Sequence, residues 1–149
     1  MLRHDDLPVA VPATFDELVT GQYDCRLVTV HAVIRTVDLR VSSYARTTYM
    51  QMVTDGRYID TTVDSDDENA LKGLLDAEVE VIGIAGGKFD GKIQLTGILL
   101  HVPALADVKV LKPAGANPWS LPATPMDKNI SVYHVREQMQ RVLVHGTIT

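Results

Sequence analysis

Tyr49, Gln51 and Tyr58 fall at alternating positions of two apolar runs, 48–53 and 57–63, and share one surface if Met50, Met52, Ile59 and Val63 face a core. Asp60 and Thr62 fall on the same outward side. Arg35, Arg46 and Arg57 can edge that surface, giving stacking planes with cationic rims of the kind bases and sugars favour. Tyrosine with arginine also marks protein interfaces, and a pleated surface covering a neighbouring loop accounts for the same tyrosines. Lys88, Phe89 and Lys92 form a second, smaller group, an apolar clip with solvated lysines.

Catalytic chemistry finds less support. His4, His31, His101, His134 and His145 are scattered without ligand spacing, and no GxSxG, HExxH or Walker pattern occurs. The expectation is therefore no catalytic residue, no metal and no cofactor. Gly83, Gly86, Gly87 and Gly91 lie within a strand pair and open no helix, so turn geometry explains them better than a phosphate cradle. Asp64, Asp66, Asp67 and Glu68 lack the remaining positions of a calcium loop and read as an acidic helix start. The single cysteine, Cys25, excludes an internal disulfide or a thiolate zinc cluster. A net charge of -5 speaks against nucleic acid held mainly through its phosphates. No stretch of about 18 apolar residues is present to cross a bilayer.

The elements that must position these residues are mostly strands. Thr14 and Glu17 offer a capping box for a short helix over 15–20, with Gly21 as its left-handed terminator. Val28, Val30, Ala32 and Ile34 alternate along a first strand from 27 to 37, which continues, bent, to Val41. Asp55-Gly56 and Asp90-Gly91 each mark a hairpin turn. Ser65 and Glu68 form a second capping box ahead of Leu71, Leu74 and Leu75. Three strands, a helix and two strands predict an all-β chain, a β-barrel with one helix: a five-stranded OB-fold-like Greek-key barrel, with a short N-terminal helix and a Pro-rich C-terminal extension. The expected division is a lead over 1–25, the barrel over 26–112, a linker over 113–140 and a further strand over 141–149. Trp119 and Leu121 are expected to anchor the linker to the barrel.

The run 142–148 repeats the pattern of 28–34, which reads as the first strand of a following, truncated module. Such a severed strand should seek a sheet edge, in this barrel or in a strand-exchanged homodimer.

Three passages, ELVTGQYD at 17–24, HVPALADVKVLKP at 101–113 and NPWSLP at 117–122, resemble the repeated OB-like modules in the N-terminal sensory region of bacterial membrane-bound sensor histidine kinases and related diguanylate cyclases. The resemblance implies a non-catalytic sensory or interaction module in two-component phosphorelay signalling. It also implies a periplasmic location, a membrane-anchored parent, and partners among neighbouring modules, a small ligand or a protein. The competing reading is a single-stranded nucleic-acid-binding OB-fold domain.

Overall fold

The computed structural model describes residues 8–41, 46–115, 117–125 and 143–146. Its strands are β1 (Val11–Pro12), β2 (Leu27–Val41), β3 (Arg46–Thr54), β4 (Arg57–Val63), β5 (Glu78–Phe89), β6 (Leu95–Val102) and β7 (Val108–Lys112), with helices α1 (Phe15–Val19) and α2 (Glu68–Lys72). Strand β2 pairs antiparallel with β3, β3 with β4, and β4 runs parallel to β6. Antiparallel pairing of β6 with β5 and of β5 with β2 closes the barrel. Five strands joined in that order, with a helix between the third and fourth, form an OB-fold barrel. Strand β1 adds parallel to β2, and β7 lies antiparallel against β5.

The alternation read from the sequence fills the barrel. Val28, Val30, Ala32, Ile34, Met50, Met52, Ile59 and Val63 are all essentially inaccessible to solvent. Fully burying one such side chain contributes about 1.5–3 kcal/mol relative to leaving it exposed. Leu71 from α2 and Leu18 from α1 enter the same core cluster.

Strand β2 is long because it curls around the barrel, and a register shift between Ile34 and Thr36 leaves Arg35 as an extra, bulged residue. The bulge reverses the parity of the strand. Inward positions are even before it, and Val37 is the buried residue after it. That reversal turns Thr36, Asp38 and Arg40 outward.

The β3–β4 turn has positive φ at both Asp55 (50°) and Gly56 (70°), the signature of a type I′ hairpin. The β5–β6 turn differs from expectation. It spans 90–94, Asp90 Oδ1 accepts from the amides of Lys92 and Gln94, and the residue with positive φ is Ile93 (61°), not Gly91. The Asp90 carboxylate stabilises a longer loop than a two-residue turn. The glycines before it serve close approach between strands: a Cβ on Gly83 would lie 2.9 Å from the His101 carbonyl oxygen and 2.8 Å from Leu100 Cγ.

Helix α1 carries its capping box, with Glu17 accepting from the Thr14 amide at 2.9 Å. Helix α2 starts later than expected. Asp67 is its cap, accepting from the Ala70 amide at 2.9 Å, while Ser65 Oγ accepts from the Asp67 amide, so the Ser65–Glu68 box does not form. Trp119 is not an anchor. Asn117 Oδ1 accepts from the Trp119 amide in a tight turn over Pro118–Ser120, which leaves the indole 79% exposed. Leu143 bridges in parallel to Ala123. The remainder of the proposed linker and closing strand, and with it any strand exchange, lies outside the described residues.

Candidate functional site

The outer face of β3, β4, β6 and β5 carries a continuous polar and aromatic row. Pairing sets Gln51 opposite Asp60 and Tyr49 opposite Thr62, while Asp60 lies beside Leu99 and Thr62 beside His101. Gln51 Nε2 donates to Asp60 Oδ1 at 3.1 Å, and Thr62 Oγ1 hydrogen-bonds His101 Nδ1 at 2.9 Å. Lys88 reaches over from β5 to pair with the other Asp60 oxygen.

These contacts set the electrostatics. Burial alone would raise the Asp60 carboxyl, but the hydrogen bonds from Lys88, Gln51 and Tyr49 outweigh it and hold it below the ordinary aspartate value. The Asp60 hydrogen bond raises the Lys88 ammonium in turn. Burial, then the hydrogen bond and charge of Asp60, push the Tyr49 phenol up, so it stays neutral and donates to that carboxylate. The negative charge of Asp60 is thereby compensated within the face.

Tyr49 and Tyr58 play different parts. The Arg40 guanidinium lies over the Tyr49 ring, 3.8 Å from its centroid. Any flat ligand arriving there meets the guanidinium plane first. Tyr58, four residue pairs along, is 61% exposed. About 14 Å of strand separates the two levels, from 3.4 Å of rise per residue.

Of the six residues expected at this surface, Tyr49, Gln51 and Tyr58 share the outer face of β3 and β4. Arg35 and Arg57 are engaged elsewhere. Arg35 Nη1 pairs with Asp76 Oδ1 at 2.6 Å, tying the β2 bulge to the turn entering β5, where the Ile34 and Asp76 backbones also bond. Arg57 Nη1 pairs with Asp16 Oδ1 at 2.6 Å and its guanidinium sits 4.3 Å from the Phe15 ring centroid, which docks α1 onto the β3–β4 hairpin. The Arg46 side chain lies outside the described part of the structure.

Arg40 and Lys88 join the face although sequence reasoning did not place them there. The signal for Arg40 was legible in the shift of apolar residues from 28, 30, 32 and 34 to 37, 39 and 41, which marks the bulge. Lys88 required knowledge that β6 lies between β5 and β4. The smaller Lys88, Phe89 and Lys92 group is split: Lys88 bonds onto the face, while Phe89, 59% exposed, flanks a separate cleft against α1.

No protein-family model matches the sequence, and no curated protein does. Among solved structures, an aspartyl-tRNA synthetase from Entamoeba histolytica is similar with a TM-score of 0.52 and 15% identity over 78% of this chain. An asparaginyl-tRNA synthetase from the same organism, solved with asparaginyl-adenylate, gives 0.55 and 11% over 87%. This chain spans 25% and 30% of the length of those two proteins.

These neighbours overturn the sensor-kinase resemblance, and with it the histidine-kinase and two-component reading, the periplasmic location and the membrane-anchored parent that rested on it. The structure shows why the quoted passages misled. Glu17 caps α1, Gly21 takes a φ of 76°, 105–112 form a turn and β7, and 118–120 form another turn. Caps, turns and an added strand are local devices that any barrel with this lead can use. The net charge of -5 does not weigh against nucleic acid either, because it is an average over the whole chain. Acidic residues gather at 64–68, ahead of α2, and Asp60 on the outer face is compensated by Lys88. The likeness to the synthetases establishes the fold, a five-stranded OB barrel.

Proposed function

We propose that this chain is a single-stranded nucleic-acid-binding OB-fold domain whose platform is the outer face of β3, β4 and β6. The observation that carries the reading is the exposed Tyr58 ring on the same face as the Arg40 guanidinium stacked on Tyr49. Aromatic and guanidinium planes stack bases without demanding a particular sequence. The likeness to two enzymes named for tRNA supports RNA as the strand.

Fluorescence anisotropy with labelled eight-nucleotide RNA and DNA tests it. Binding in the micromolar range at low salt is expected. Log affinity should fall linearly against log salt, with a slope of about -0.7 for each phosphate contact on a single strand. Tyr58→Ala should weaken binding about 5- to 150-fold, the worth of one stacked base. No binding by the wild type at low salt, or equal binding by Tyr58→Ala, refutes the proposal.

A further inference from the structure

A cleft of about 190 Å³ opens between the end of α1 and the inward-facing side of the β5–β6 hairpin, the side opposite Lys88. Its apolar wall is Leu18, Val19, Phe89, Leu95 and Ile98, and its backbone wall runs through Gly86, Gly87 and Gly97. The volume is below the roughly 300–1,000 Å³ of drug-sized sites, which suits one planar ring system and excludes a whole nucleotide. The absence of a Cβ on Gly87 shapes it. Such an atom would lie 2.8 Å from both Leu95 Cδ1 and Phe89 Cε2, so the Phe89 ring leans against β5 there. Phe89 nevertheless remains 59% exposed and Leu95 51%.

The polar part of the lining is Thr20 and Asp24. Thr20 Oγ1 already donates to the Glu17 carbonyl at 2.8 Å, so it faces a ligand as an acceptor. Asp24 takes no hydrogen bond or ion pair from any described residue. Its turn is fixed to the barrel: the Cys25 amide donates to the Ala85 carbonyl, and the Ala85 amide to the Arg26 carbonyl, both at 2.9 Å. A carboxylate held at the rim of an aromatic slot accepts N–H groups and repels phosphate. It therefore admits a base by its edge and leaves the backbone outside. Guanine presents two parallel N–H donors on its Watson–Crick edge, which match the two oxygens of one carboxylate. Adenine and cytosine present an amino group alone, and uracil a single ring N–H.

We infer that this cleft binds a guanine base of a bound RNA strand, with Phe89 stacking on the ring and Asp24 accepting from its N1 and N2 hydrogens. The inference rests on the nucleic-acid reading above and adds a base preference to it. Anisotropy is measured with an eight-uridine RNA and with the same RNA carrying one central guanosine.

The guanosine RNA should bind about 5- to 150-fold more tightly, the discrimination one bidentate contact provides. Asp24→Asn should remove that preference and leave the all-uridine affinity unchanged. Phe89→Ala should weaken the guanosine RNA more than the all-uridine RNA. Both side chains are exposed, so the variants should keep the circular dichroism spectrum of the parent. Equal affinities for the two RNAs, with Tyr58→Ala still weakening both, overturn the guanine cleft and leave the platform standing. A preference that survives Asp24→Asn overturns the role of that carboxylate. Failure of both RNAs to bind at low salt overturns the platform and the cleft together.

Discussion

Two threonines inside the barrel provide a paired test of how the core treats polar groups. Thr48 and Thr61 are both fully buried. Thr48 Oγ1 donates to the Ser65 carbonyl at 2.7 Å, whereas Thr61 Oγ1 finds no partner among the described residues. Valine matches threonine in shape and keeps the branched Cβ that suits a strand, so replacing either one opens no cavity. At position 61 the change removes a hydroxyl that was desolvated without compensation, at a cost of about 1–3 kcal/mol. Thr61→Val should therefore stabilise the fold by about 1–2 kcal/mol, which corresponds to a rise of a few degrees in Tm at this chain length. At position 48 the same change removes a bond and strands the Ser65 carbonyl, so Thr48→Val should lose about 1–2 kcal/mol. Urea unfolding followed by far-ultraviolet circular dichroism reads both, with opposite shifts of midpoint and unchanged m-values. If Thr61→Val is neutral or destabilising, the hydroxyl is satisfied in solution, as by an enclosed water, and the reasoning fails.

Other expectations follow from the same contacts. Because Asp60 is held below its ordinary pKa, it stabilises the fold in full above about pH 4 and loses that contribution as pH falls through its lowered folded value. The stability gap between the parent and Asp60→Asn should accordingly be constant near neutrality and shrink in acid, as unfolding at a series of pH values would show. Leu71→Ala removes the side chain that α2 buries in the core and should cost about 2–5 kcal/mol in urea unfolding. Gly83→Ala sets a Cβ against the His101 carbonyl and should lower stability by about 1–3 kcal/mol, with the loss concentrated in hydrogen-exchange protection of β5 and β6. Gly97→Ala, with open space at its Cβ, should be tolerated to within about 0.5 kcal/mol.

The barrel was legible in the sequence because its main signals are local. Alternation along 27–41, 48–53 and 57–63 reports which side chains face a core, and Asp55-Gly56 specifies a turn through its own backbone preferences. The capping box at Thr14 and Glu17 is local in the same way. Tertiary structure decided what those side chains meet. Whether Arg35 and Arg57 rim a surface or clamp the fold depends on Asp76 and Asp16, each 41 residues away in sequence. The charge of the outer face depends on Lys88 crossing a strand to Asp60, and the cleft at Phe89 on α1 packing beside a hairpin some 70 residues later. Periodicity records the direction of each side chain relative to its own strand. It carries no record of which other strand or helix the closed barrel brings alongside, and that is what sets charge, exposure and shape at the site.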